Sequence, residues 1–196
     1  MCKGYFNMGR KRIFVSDIHM NDYLSLHPGA GLNPYGWLHT DHATRFADFL
    51  VTVLKDTDVC ELVILGDLFD EWLRPAEFNL YPDSYFQQIA TAKQNIPIIN
   101  NLKRIINETN IDITYVNGNH DMLLSENVLN GIIPGIIFEH SGKYKKGNIA
   151  AEHGHNYCFF NTRDLYSNPD HMLPAGYFIT RSVASLTLNY GKDIKS

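Results

Sequence analysis

Four short segments of this sequence end apolar runs in residues that can hold a divalent cation. They are Asp17 and His19 in "SDIHM", Asp67 in "LGDLFDEW", Asn119 and His120 in "VNGNHD", and His153 in "AEHGH". Carboxylate, amide oxygen and imidazole together suit first-row metals such as Mn, Fe or Zn, and no thiolate joins the set. Gly66 and Gly118 stand just before two of these positions, where a residue without Cβ lets the backbone turn sharply and approach a ligand. Each motif alone is common. The order Asp-x-His, Gly-Asp-x-x-Asp, Gly-Asn-His-Asp, then His is the signal.

The elements that must position these residues can be read from periodicity. "RIFVSD" (12–17), "ELVILGD" (61–67), "DITYVNGNHD" (112–121) and "GNIAAEHGH" (147–155) read as four strands, each running into a polar turn. Between them, 41–54 places Phe46, Phe49, Leu50, Val53 and Leu54 on one helical face, and 96–108 reads as a helix behind Pro97. Alternating strands and helices predict an α/β fold, with the ligand crevice at the carboxyl ends of the strands. The stretch 21–37, rich in Gly and Pro, reads as a long loop of the kind that is usually functional or disordered.

Composition bounds the rest. The chain has 196 residues, enough for one domain with a full core, and 44% hydrophobic against 19% charged residues is an ordinary globular balance. A net charge of −4 gives no global positive field, so nucleic acid is not expected as a partner. Three separated cysteines fit a reducing compartment better than a disulfide framework. No apolar run reaches the roughly 18–20 residues that span a bilayer, and the basic start lacks an apolar signal core. The expectation is a cytoplasmic protein.

At these motifs the chain, from about Ile13 to His155, resembles the calcineurin-like metallophosphoesterases. That resemblance implies a four-layer αββα sandwich, two divalent metal ions, and hydrolysis of a phosphate ester, phosphodiester or pyrophosphate by a metal-bridging hydroxide. It implies Asp17 and His19 on the first metal, Asp67 bridging both, and Asn119 and His153 on the second. His120 is then the catalytic histidine and Asp70 the carboxylate that orients it. The substrate is expected to be a phosphorylated small molecule, a nucleotide or a lipid-linked phosphate. Within the superfamily, the serine/threonine phosphatases usually follow the bridging position with an Asp-Arg-Gly step that is absent here. "GDLFDEW" is closer to the UDP-diacylglucosamine pyrophosphohydrolases of lipid A synthesis. By that resemblance 156–196 holds a lid, with Phe178, Val183 and Leu186 apolar and Arg181 available for a phosphate. The sequence departs from those enzymes in carrying His120 where they usually have arginine.

The family pattern closes with Gly-His-x-His, which this sequence lacks; from Gly154 the second histidine falls on Tyr157. Three readings stay open. The last strands belong to a longer chain, His155 or His171 substitutes, or the domain has a degraded site that holds one metal weakly or acts by binding only.

Blander readings apply to the remaining residues. Trp37 and Trp72 are expected to pack, Arg163 and Arg181 to make surface salt bridges, and Cys158 to be buried. His27, His39, His42 and His140 are expected at the surface or at helix caps. Asp121 is expected to shape a turn, and Lys143, Lys145 and Lys146 to form the solvated tip of a hairpin.

Overall fold

Val59–Leu65 (β2) is buried along nearly its whole length, and its two faces meet different partners. Leu62 and Ile64 enter the main core, whereas Val63 packs in a smaller cluster with Val116 and Tyr144. Such a strand belongs in the interior of a sheet covered on both sides. In this computed structural model, which describes residues 11–78, 83–164 and 172–190, β2 lies between Lys11–Val15 (β1) and Asp112–Val116 (β3). Ile137–Phe138 (β4) completes a four-stranded sheet in the order β1-β2-β3-β4, with every pairing parallel.

Helices cover one face. Thr40–Lys55 (α2) buries Ala43, Ala47, Leu50 and Val53, and Ile96–Glu108 (α4) buries Ile98, Ile99, Leu102 and Ile105. The two alanines give α2 a flat contact face, while Phe49, read from periodicity as a core residue, is partly exposed. Asp83–Thr91 (α3) and Glu126–Ile132 (α5) lie on the same side, their buried residues joining the same core. The opposite face carries a two-stranded antiparallel hairpin of Tyr144–Lys146 (β5) and Ile149–Ala151 (β6). Tyr144 packs edge-on against Phe14 and donates to Glu61, a buried carboxylate that also accepts from Thr114 and Arg12. The architecture is α/β, with a parallel sheet between helices and a hairpin.

Several elements depart from the reading of the sequence. The fourth strand is not part of the parallel sheet, because β6 is only three residues long and pairs with β5. Lys146 is not a solvated tip residue, since its ammonium lies 3.1 Å from Glu61. The 21–37 loop contains a short helix, Tyr23–Leu26 (α1), capped by Asp22 through the Ser25 N–H. Asn21 pins the loop to the core by accepting from Leu38 N–H, while Asn95 donates to its carbonyl. Ala175–Tyr190 (α6) forms a helix in the segment read as a lid. Among the described residues no helix is long and apolar enough to cross a membrane.

Candidate metal centre

The carboxyl ends of β1, β2 and β3 bring the donors together. Beyond β1 and β2 the chain runs on in parallel, with Asp17 N–H donating to Gly66 O, His19 N–H to Asp67 O and Met20 N–H to Leu68 O. Asp17, His19 and Asp67 adopt φ of 56°, 53° and 55°. Non-glycine residues in the left-handed region are uncommon, and such strain persists only where the surroundings over-determine it. Three instances on three neighbouring candidate ligands mark this edge as the specialised part of the fold.

Two glycines let the strand ends meet. A Cβ on Gly118 would stand 2.1 Å from Asp67 Oδ1, and one on Gly66 would stand 2.5 Å from Gly118 Cα and 2.8 Å from His153 Nδ1. No side chain fits at either position without moving Asp67 or the backbone. Gly66 also has a φ of +79°, which glycine adopts freely.

Asp17, His19 and Asp67 form one convergent group. His19 Nε2 lies 3.8 Å from Asp17 Oδ1 and 3.9 Å from Asp67 Oδ2, spacings that leave room between the atoms. On the other side, His153 Nε2 lies 3.2 Å from Asp67 Oδ2 and 3.1 Å from Asn119 Oδ1. His153 Nδ1 is engaged with the Leu65 carbonyl at 2.7 Å, so it carries a proton and Nε2 is the nitrogen offered to the cleft. Burial opposes charge on His153, but the Asp67 carboxylate outweighs it and pushes the imidazole up to about 9. His19 is also raised: burial lowers it, and its bond to Asp70 and the charges of Asp67 and Asp17 overcome that. Asp67 is held below the ordinary carboxylate range despite burial, by His153 and His120. A site in which imidazoles take up protons to face carboxylates is one in which a cation can replace those protons. The donor set of oxygens and imidazoles fits a divalent ion.

Asp70 has two tasks, of which the sequence suggested one. Its Oδ1 accepts from His120 Nδ1 at 2.7 Å and its Oδ2 from His19 Nδ1 at 2.8 Å. The fully buried carboxylate thereby fixes the tautomer and orientation of both rings, which meet edge to face with centroids 4.6 Å apart. Burial would raise Asp70, yet the two imidazoles hold it at about 2. His120 is held from three directions: Asp70 at Nδ1, a backbone N–H bond to Asp67 Oδ1, and the Trp72 ring stacked 4.2 Å away. Trp72 packs as expected, but it packs on the candidate catalytic histidine.

Asp121 does more than shape a turn. It is fully buried and accepts from the backbone N–H groups of Gly118 and Leu68 and from the Tyr115 hydroxyl. It ties the turn after β3 to the segment after β2. Burial and the nearby Asp67 push its carboxyl up to about 6.

The donors open onto a cleft of about 300 Å³, lined in addition by Trp37, Gly154, His155, Cys158 and Asn161. Trp37 is 59% exposed and stacks on His19. His155 borders the cleft beside His153, with ring centroids 5.4 Å apart, and is lowered by burial and by the His153 charge. His171, the other histidine weighed for the incomplete motif, lies outside the described residues. Cys158 is exposed, because the 3-10 turn His155–Tyr157 carries it to the cleft rim. Arg181 is 2% exposed and forms no surface salt bridge. Its guanidinium turns inward to the carbonyls of Pro75 and Phe78 and to Tyr177, so it is not available for a phosphate. Arg163 donates to the Met122 carbonyl. His39 begins α2 without a side-chain cap, and His42 and His140 are exposed near Asp41 and Glu126.

No protein-family model matches the chain, and no curated protein matches it. Among solved structures, the crystal structure of the nuclease MPE from Pseudomonas putida is similar at 18% identity with a TM-score of 0.37. The match covers 66% of this chain and 48% of that one, so the chain spans about half the length of that nuclease. At that level of likeness the site's own geometry is what bears on function. The clustered imidazoles and carboxylates are compatible with metal binding.

Proposed function

We propose that this chain is a metallophosphoesterase domain of the calcineurin-like type, acting on a phosphate ester, phosphodiester or pyrophosphate. One observation carries the reading. Asp67 stands between two groups of potential donors, His19 on one side and His153 on the other, and beside them lies a histidine fixed by a buried carboxylate. Asp17, His19 and Asp67 would hold one divalent ion, and Asp67, Asn119 and His153 a second, with Mn, Fe or Zn the metals that suit these donors. When bound, such ions supply Lewis-acid stabilisation of phosphate charge and acidify water.

The remaining work falls to the protein. Asn119 contributes an oxygen without adding a negative charge that repels phosphate. His120, fixed at Nδ1 by Asp70, turns its other nitrogen to the task of hydrogen-bonding or protonating the leaving oxygen. Trp72, stacked on that ring, keeps it from rotating. A UDP-diacylglucosamine pyrophosphohydrolase-like activity loses one support, since Arg181 is occupied inside the fold.

The test is turnover of bis-p-nitrophenyl phosphate and p-nitrophenyl phosphate by Mn-loaded protein. Metal-dependent hydrolysis, lost in Asp67→Asn and lowered in His120→Ala with metal content retained, supports the assignment. Metal uptake with no hydrolysis of either ester favours a binding module on the same scaffold.

A further inference from the structure

Among the described residues, Trp37 is the exposed Phe, Tyr or Trp side chain that lines the metal cleft. Its indole stacks on the His19 ring, with centroids 5.8 Å apart and planes 29° from parallel, yet at 59% exposure much of the ring stays open to solvent. A lone surface tryptophan says little by itself. Here the chain is fastened on both sides of it.

Leu38 N–H donates to the Asn21 side-chain oxygen at 3.0 Å, and Gly36 N–H donates to the Ser25 carbonyl at 2.9 Å. A Cβ on Gly36 would stand 2.2 Å from Asn21 Nδ2 and 2.5 Å from Ser25 Oγ, so only glycine fits just before the tryptophan. Asn21 and Ser25 are fully buried and bonded to each other, and the Asn21 carbonyl accepts from Asn95 and Gln94. Satisfied buried polar networks of this kind rigidify what they hold. The indole is thus presented to the cleft on a fixed backbone.

The cleft holds about 300 Å³, at the small end of ligand sites. Apart from Trp37, its lining consists of His, Asp and Asn side chains with Gly154 and Cys158. It offers one flat apolar face beside the candidate metal ligands, and no enclosing apolar walls for a hydrocarbon chain.

We propose that Trp37 selects the substrate by stacking on a flat aromatic ring borne by the phosphoester, as in a nucleotide. This rests on the metallophosphoesterase reading, because the phosphate must sit at the metal centre for the ring to reach the indole. Every nucleobase has a π face, so such stacking favours nucleotides over sugar phosphates without choosing among bases.

The test compares adenosine 5′-monophosphate (AMP) with ribose 5-phosphate, which lacks the ring, by calorimetric titration into the Zn-loaded full chain. AMP should bind roughly tenfold more tightly. The chain has two tryptophans and Trp72 is 1% exposed, so AMP should also quench the emission of the exposed indole saturably. Trp37→Ala should bring the two affinities together, and Trp37→Phe, which keeps a smaller ring, should restore part of the preference. A role confined to packing on His19 would weaken both ligands alike and leave their ratio intact. Equal affinities in the wild type, or a preference for AMP that survives Trp37→Ala, would overturn the inference while leaving the metal site standing. If neither ligand binds at millimolar concentration, the metallophosphoesterase reading and the inference fail together.

Discussion

Asp70 and Asp121 are both fully buried carboxylates at the ends of neighbouring strands, yet they titrate in opposite directions. Asp70 faces two imidazoles and is held at about 2, whereas Asp121 faces neutral N–H groups and a hydroxyl, lies near Asp67, and is pushed up to about 6. Burial acts alike on both, so the partners decide. Asp70 has the wiring of a group that serves reactive side chains, and Asp121 that of a group that shapes the backbone beneath them. The candidate centre thus separates orientation of its histidines from construction of its floor.

The sharpest way to break that contrast is Asp70→Asn. An amide can accept from only one imidazole, so either His19 or His120 loses its tautomer. Hydrolysis should fall by roughly 10²–10⁴-fold, measured as kcat on bis-p-nitrophenyl phosphate, with the fold retained by circular dichroism. Asp121→Ala should do the reverse. It strands several buried donors and should lower unfolding free energy by about 3 kcal/mol or more in urea titrations.

The pH dependence sharpens the comparison further. Asp70 is depressed, so its contribution to stability is present above the ordinary 3.8 and is lost as pH falls through about 2. Asp70→Asn should therefore cost on the order of 2 kcal/mol more at pH 7 than at pH 2. Asp121 is raised, so its ionised form weakens the fold as pH rises from 3.8 through about 6. Asp121→Asn should accordingly cost less at pH 8 than at pH 4, and equal pH profiles for the two variants would remove the distinction. A third pH dependence is expected at Glu71, a buried carboxyl raised to about 8 by burial, although Arg181 opposes the shift. One of its oxygens has no partner among the described residues. Its neutral form is favoured below 4.5, and the advantage is lost as pH rises through about 8. Glu71→Gln should therefore raise unfolding free energy relative to wild type at pH 8, and less or not at all at pH 4, in urea titrations.

What could be read from the sequence follows physical range. The helix Ile96–Glu108 and the three strands that bear Asp17, Asp67 and Asn119 were legible, because hydrophobic period and local turn chemistry operate within a dozen residues. The order of the candidate ligands was legible for the same reason, and the structure brings all of them to one cleft. The pairing of β6 was not, since three exposed-to-intermediate residues carry no pattern that separates a hairpin from a sheet strand. The roles of Asp121 and Arg181, and the second role of Asp70, rest on partners dozens of residues away: Leu68, Pro75 and His19. No local pattern encodes such contacts. Arg181 misled because arginine is exposed far more often than it is buried.

The central claim is that Asp67 joins two cation sites. Its most direct test is calorimetric titration of Mn into metal-free chain and into Asp67→Asn, repeated between pH 6.5 and 9. His153 is protonated below about 9 and must lose a proton to bind metal, so affinity should rise across this range with proton release. The account predicts two ions per wild-type chain and a loss of both strong sites in Asp67→Asn. Equal stoichiometry and affinity in the two proteins would contradict it.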